Sequence, residues 1–185
     1  MLRTIIVALA FATATDSGIS AAQVCPANIP HLTGTWDILP YQMPINPISL
    51  TLLADGKVLI VAGSENDAHN YQAGAQSFRA AVWDPQGASA SSINVQNLTY
   101  DVFCSGTVAL PDGRSLVVGG TASYAFTGDA RASIFDWRSG RFAQSQAMSQ
   151  GRWYASVVAL GDGSVMAMIR GLYPTNRCLW VTSSV

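Results

Sequence analysis

The sequence predicts an all-β fold built from repeated strand units. Three segments share one pattern, in which two apolar strands flank an Asp-Gly pair: residues 48–64, 104–121 and 153–168. Asp-Gly tolerates the positive φ angles of a two-residue hairpin turn, and the flanking Val, Leu and Ile residues suit buried strand faces. No segment of useful length shows helical periodicity. We therefore expect three β-hairpins and almost no helix.

Further strands complete the first two units. Residues 80–85 and 132–142 predict a third strand in each unit, and weaker patterns at 91–95 and 140–144 predict a fourth. Four strands in about 50 residues is the size of one blade of a kelch-type β-propeller. An aromatic stretch at residues 34–40, bounded by Gly and Pro, predicts an edge strand ahead of the first hairpin. Four aromatic side chains are predicted to pack within the blades: Trp36, Trp83, Phe135 and Trp137.

The predicted propeller is incomplete. Three hairpin units are fewer than the roughly 4 to 8 blades that usually close a propeller. After the third hairpin the pattern breaks down, and no outer strand is predicted in residues 169–185. We expect residues 23–168 to form a partial kelch propeller of about three blades and residues 169–185 to be a divergent or truncated tail.

The N-terminal residues 1–22 have the pattern of a secretory signal peptide. Arg3 precedes an apolar run at 5–12, and the small residues Ser20 and Ala22 suit cleavage after about Ala22. The apolar run is far shorter than the roughly 20 residues that a membrane span requires. We therefore expect secretion to the periplasm or the extracellular space, and no membrane partner.

The charge of the chain bears on its binding partners, and its cysteine count bears on its disulfide bonds. The formal net charge is −1, and Lys57 is the only lysine, so no basic patch for nucleic acid is visible. The three cysteines are an odd number for an exported protein, which leaves at least one without an intramolecular disulfide partner. If Cys104 has another role, Cys25 and Cys178 could pair, and the sequence leaves this open.

Cys104 and Tyr154 occupy the same position in consecutive units. Cys104 lies eight residues before Asp112, and Tyr154 lies eight residues before Asp162. Equivalent positions of consecutive repeats are spatial neighbours, so we expect these two side chains to lie close together. Common hydrolase, metalloprotease and nucleotide-binding motifs are absent from the sequence.

The residues around this pair resemble the galactose oxidase and glyoxal oxidase group of secreted copper radical oxidases. The resemblance covers residues 46–168 and is carried by DVFCSGTVALPDGRSLVVGG, FTGDARASIFD and AMSQGRWYASVVALGDGSVMAM. It implies the early, N-terminal blades of a seven-bladed kelch propeller. In that family the Cys of a Phe-Cys-x-Gly motif is joined by a thioether bond to a Tyr that follows Arg and one further residue, and Cys104 and Tyr154 match these positions.

The resemblance also implies a chemistry. Tyr154 would be a copper ligand and would carry a radical, with Cys104 as its cross-link partner. Oxidising a primary alcohol or aldehyde removes two electrons and copper cycles by one, so the tyrosine is the second one-electron carrier, and O2 is reduced to H2O2. The implied partners are small alcohol, aldehyde or carbohydrate substrates.

The family completes its copper site with a second tyrosine and two histidines from later blades and a C-terminal domain. The histidines of this chain, His31 and His69, precede the motif and match neither ligand. We therefore expect this chain alone to hold no copper in an active form. The alternative is a secreted, non-catalytic kelch-type module that binds carbohydrate or protein, with Cys104 and Tyr154 as packing residues.

Overall fold

A computed structural model describes Gly34, residues 37–72, 76–124 and 127–168, and the backbone of Leu179–Val181. The chain divides into two compact units, Met1–Ile38 and Leu39–Val185. In the first unit, the described residues have no regular secondary structure. The edge strand predicted over residues 34–40 is therefore wrong for its described residues, because the Pro-rich sequence that follows offers few backbone donors for a sheet.

The first sheet of the second unit has four antiparallel strands in chain order. These are β1 (Ser49–Leu52), β2 (Val58–Gly63), β3 (Arg79–Trp83) and β4 (Ile93–Asn97). A four-residue helix α1 (Ala68–Tyr71) lies between β2 and β3, and a single 3-10 turn (Ala90–Ser92) leads into β4. The fourth strand confirms the weak pattern at 91–95 with a shift of two residues.

The second sheet repeats this arrangement with one insertion. β5 (Gly106–Ala109) and β6 (Ser115–Val118) form its hairpin, and a two-stranded ribbon of β7 (Thr121–Ser123) and β8 (Thr127–Gly128) follows. β9 (Ala132–Asp136) and β10 (Arg141–Gln144) then complete a sheet of order β10-β9-β6-β5. The sequence predicted the four main strands of this sheet but not the inserted ribbon.

The third sheet has three strands, β11 (Ser156–Ala159), β12 (Val165–Met168) and β13 (Leu179–Val181). β13 pairs antiparallel with β12, with Ala167 opposite Leu179. The expectation that no strand follows the third hairpin is therefore wrong. Leu179–Val181 carries the apolar residues of a short strand, but the polar residues between it and β12 concealed the pairing.

The three Asp-Gly loops have three residues rather than the two predicted. In the first, the Leu53 N–H donates to the Lys57 carbonyl and the Gly56 N–H to the Leu53 carbonyl, and the other two loops repeat both bonds. The loop glycines have φ of 83° to 84°. A tight turn followed by a left-handed glycine is the usual three-residue hairpin loop with a bulge. Each turn aspartate also accepts a hydrogen bond from the N–H two residues later.

The core lies between the sheets. β5 contacts both β1 and β11, so the first strands of the three sheets are neighbours. One buried cluster joins the first two sheets through Val61, Val102 and Phe135, and a second joins the second and third through Leu116 and Val165. β2 and β6 are covered on both faces, which explains their continuous apolar sequences.

The described residues thus form an all-β protein of four small antiparallel sheets with almost no helix, an arrangement consistent with a β-propeller-like fold. The number of blades and the kelch type stay predictions. Trp83, Phe135 and Trp137 pack against the buried clusters, as predicted. The signal peptide, Cys25, Cys178, His31 and Trp36 lie outside the described residues, and within the described residues no helix is long and apolar enough to cross a membrane.

Candidate functional site

Cys104 and Tyr154 lie at equivalent points of two neighbouring sheets. Each residue stands two positions before an inner strand, since β5 begins at Gly106 and β11 at Ser156. The Tyr154 N–H donates a hydrogen bond of 2.9 Å to the Cys104 carbonyl. Two residues that are 50 positions apart in the sequence are therefore in direct backbone contact.

Both residues have a left-handed backbone. The φ angle is 61° at Cys104 and 55° at Tyr154, and among the described residues only Glu65 and Asn66 are other non-glycine positions with positive φ. This conformation costs an L-residue roughly 1 to 2 kcal/mol, so surrounding contacts must hold it. Such strained positions cluster at functional sites. The equivalent position of the first unit is Pro47, whose ring fixes a negative φ.

The two side chains differ in exposure. Cys104 is 4% exposed, whereas Tyr154 is 62% exposed. The Trp153 ring packs edge-on against the Tyr154 ring, with 4.5 Å between centroids. The pair therefore presents a phenol at the surface above a buried thiol.

Electrostatics keep both groups protonated at neutral pH. Burial raises the pKa of the Cys104 thiol, and the nearby Asp101 charge raises it further, against a smaller lowering by Tyr154. The pKa of the Tyr154 phenol is raised as well, chiefly by its interaction with the Cys104 side chain. A thiolate nucleophile is therefore disfavoured at Cys104.

Two glycines at the end of β6 connect the segments that carry the pair. The Gly120 N–H donates to the Arg152 carbonyl, and the Thr121 N–H donates to the Asp101 carbonyl, both at 3.0 Å. A Cβ on Gly119 would lie 2.5 Å from the Arg152 carbonyl oxygen, and a Cβ on Gly120 would overlap the Asp101 backbone. Only residues without side chains allow both segments to approach this closely.

Gly106 performs the same role between the inner strands. A Cβ there would lie 2.5 Å from the Ala155 carbonyl oxygen and closer still to the Val157 side chain. The glycine of the Phe-Cys-x-Gly motif is thus the residue that lets β5 approach the start of β11.

Hydrogen bonds to Asp101 hold the segment that precedes Cys104 in place. Its buried carboxylate accepts hydrogen bonds from the Phe103 N–H at 2.9 Å and from the Ser64 N–H at 2.8 Å and hydroxyl at 2.6 Å. The Thr121 hydroxyl donates to the Phe103 carbonyl at 2.9 Å. These bonds fix the residues directly before Cys104, where the strained backbone begins.

Arg152 is 1% exposed, and its backbone forms a bridge with Asp129. Gly128 packs against Arg152 and against Gly151, which directly precedes Arg152, and the Arg152 N–H donates to the Asp129 carbonyl at 2.8 Å. The turn that ends in Tyr154 is therefore enclosed by β8 on one side and by the end of β6 on the other.

A copper ion needs more donors than this cluster supplies. Tyr154 is the one described residue that matches a ligand expected from the sequence, and the described ranges contain no group of three His, Cys, Asp or Glu side chains that could hold a metal. His69 lies in α1, where its backbone N–H donates a hydrogen bond to the Asp67 carboxylate. The described residues by themselves do not form a complete copper site, and further donors would have to come from elsewhere.

Sequence reasoning missed the residues that assemble the site. Gly63 and Gly120 both lie eight residues after a turn aspartate, and a Cβ on either would overlap the residues that lead to Cys104. This recurrence was a usable signal. Asp101 and the left-handed backbone at Cys104 and Tyr154 left no mark in the local pattern.

No protein-family model and no curated protein sequence matches the chain. Among solved structures, the chain is similar to a fungal alcohol oxidase of the AA5 family in complex with copper, with a TM-score of 0.51 and 20% sequence identity. The likeness covers 69% of this chain and 26% of that chain, so this chain spans about a quarter of that enzyme. At this identity the likeness concerns the fold alone, and it agrees with the β-propeller-like arrangement of the sheets.

Proposed function

We propose that this chain is the part of a secreted copper-radical-oxidase-like protein that carries the cross-linked tyrosine, with Cys104 and Tyr154 joined by a thioether bond. The supporting observation is the contact between these two residues at equivalent points of neighbouring sheets. The likeness to an AA5 alcohol oxidase supports the substrate class, namely primary alcohols or aldehydes oxidised with O2 to give H2O2. The proposed scaffold is the early part of a seven-bladed kelch propeller.

The cross-link is a two-electron oxidation. One S–H bond of Cys104 and one ring C–H bond of Tyr154 break, one C–S bond forms, and two protons and two electrons leave. Dioxygen accepts them and becomes H2O2. The buried thiol next to the phenol favours this coupling over disulfide exchange, which requires an accessible thiolate.

The contact between Cys104 and Tyr154 suits a fixed cofactor. The backbone hydrogen bond from Tyr154 to Cys104 and the interaction of their side chains hold the two residues together before any covalent bond forms, so little further ordering is required when it does. The exposed phenol of Tyr154 stays accessible to a small substrate. The role assigned to this chain is the one-electron oxidation and reduction of Tyr154, and copper, when bound with donors from elsewhere, supplies the second one-electron carrier.

Peptide mapping by mass spectrometry tests the proposal. The full chain is incubated with copper(II) in air, digested and compared with an untreated sample. We expect one linked species that contains the Cys104 and Tyr154 peptides and has lost two hydrogen atoms. Cys104→Ser and Tyr154→Phe should each abolish this species, while Tyr124→Phe, which alters a partly exposed tyrosine bonded to Ser64, should retain it.

Because the described residues alone do not complete a copper site, a parallel sample is treated with a soluble one-electron oxidant. Recovery of Cys104 as a free thiol from folded protein after both treatments would contradict the proposal. Secretion through residues 1–22 is a separate part of the proposal. N-terminal sequencing of the exported product should begin near Gln23, and an uncleaved N-terminus in the exported product would argue against it.

A further inference from the structure

A polar groove of about 410 Å³ lies between the first and second sheets. Its walls come from the loop after β1, the β3–β4 connection with β4, and the turn between β9 and β10. The groove is at the end of the sheets that carries the Asp-Gly loops, where a Cβ on Gly113 would touch Ala54. Cys104 and Tyr154 lie just before β5 and β11, at the ends of these strands that are farther from the Asp-Gly loops. The groove is therefore separate from the candidate redox pair.

The groove joins the two sheets through a defined contact. The Gln96 side-chain amide donates a hydrogen bond of 2.8 Å to the Gly140 carbonyl of the second sheet. Asn94 precedes Gln96 by two residues on β4, so both side chains are on the same face and line the groove. The Asn94 side chain is exposed and therefore available to a ligand.

The charges of the lining disfavour an anionic ligand, and the Asp84 carboxylate adds an acceptor for ligand hydroxyl groups. Lys57 is the only cation among the lining residues, and its ammonium group is 2.8 Å from the Asp55 carboxylate. An anion would find no uncompensated positive charge there. A metal ion is also disfavoured, because the described residues contain no group of three His, Cys, Asp or Glu side chains that could hold one.

The remaining lining combines hydroxyl, amide and carboxylate groups with two aromatic residues, of which only Trp137 is partly exposed. Ser91, Ser92 and Asn94 present donors and acceptors, and the partly buried Trp137 indole adds an apolar surface. The Arg138 guanidinium lies over this ring, 4.5 Å from the ring centroid, so a ligand would contact the remaining surface of the indole. Leu53 and Phe135 contribute little, because they are buried in the core. A mainly hydrophilic groove is a poor site for an apolar ligand.

We propose that this groove binds a neutral saccharide of one or two sugar units. Sugar hydroxyls would bond the amides and hydroxyls of β4 and the preceding turn, and a C–H face of the sugar would pack on Trp137. The volume falls within the roughly 300 to 1,000 Å³ of small-molecule sites. This site does not depend on the thioether bond and would hold the protein on a carbohydrate, whatever reaction Tyr154 performs.

NMR titration of the full, isotope-labelled chain tests this inference with cellobiose, maltose and lactose as probes at millimolar concentration. We expect at least one disaccharide to shift the side-chain amide signals of Asn94 and Gln96. Asn94→Ala should weaken that binding about fivefold, the usual effect of one lost hydrogen bond. The matched control is Asn97→Ala, an exposed residue of the same strand on the opposite face.

A second variant blocks the groove without touching the core. Ser139→Trp, at an exposed turn position of the lining, should abolish binding while the protein stays folded. The inference is overturned if none of the three disaccharides binds. It is equally overturned if the shifts centre on Tyr154, or if binding is unaffected by both Asn94→Ala and Ser139→Trp.

Discussion

Replacing Gly106 with alanine tests whether the close approach of β5 and β11 holds Cys104 beside Tyr154. The added Cβ would lie 2.5 Å from the Ala155 carbonyl oxygen, whereas ordinary contact begins at 3.4 Å. Gly106 has no positive φ angle, so the backbone conformation itself suits alanine. The effect of the substitution is therefore steric, and the two strands must separate by about 1 Å.

The expected destabilisation follows from this overlap. Forcing one extra methyl group into a packed contact typically costs about 1 to 3 kcal/mol. For a chain of this size each kcal/mol lowers Tm by roughly 2 to 4 °C, so we expect Tm to fall by roughly 2 to 12 °C. The separation should also reduce the yield of the Cys104–Tyr154 cross-link, because the two residues are joined through the strands that move apart.

Thermal unfolding and peptide mapping measure the two effects on the same samples. The matched control is Gly161→Ala, since Gly161 has open space around its Cα and no positive φ. This control should leave both Tm and cross-link yield unchanged. If Gly106→Ala is as stable as Gly161→Ala, the assigned role of the motif glycine is refuted.

Three further predictions concern the turns and the titrating groups. Gly163→Ala should lower the free energy of unfolding in urea by about 1 to 2 kcal/mol, because Gly163 has a φ of 84° and no neighbour that a Cβ would meet. Gly163→Asn should lower it less. Equal losses for the two variants would contradict a backbone cause. In protein without the thioether bond, Cys104→Ala should lower the pKa of Tyr154 toward its usual value, because Cys104 is the main cause of the raised pKa. Tyrosinate absorbance during an alkaline titration measures this pKa. An unchanged pKa would refute the prediction. Burial acts to raise the pKa of Asp129, but hydrogen bonds from Arg131 outweigh it and lower the pKa. The ionised Asp129 therefore stabilises the folded protein fully above the unfolded pKa of about 3.9, and this stabilisation is lost as pH falls through the lower folded pKa. The Tm difference between wild type and Asp129→Asn should shrink below about pH 4. A Tm difference that does not change with pH would contradict this.

The repeat pattern made the contact of Cys104 and Tyr154 predictable, because both residues stand eight positions before a turn aspartate. Equivalent positions of consecutive repeats are neighbours in space, so the contact could be predicted without knowledge of side-chain packing. The local conformation was not predictable in the same way. Nothing marks these two positions as left-handed in the sequence, because neither is a glycine or an asparagine.

The hairpins, the antiparallel sheets and the buried second strands were predictable from the amino-acid sequence, because alternation, turn residues and apolar runs act over a few residues. The tertiary structure decided what holds the site together: Gly119 and Gly120 against two distant backbone segments, Asp101 below Cys104, and the groove beside Asn94. These features arise where neighbouring sheets meet, and a close approach between backbones far apart in the chain leaves only a glycine or a buried aspartate in the sequence as its trace.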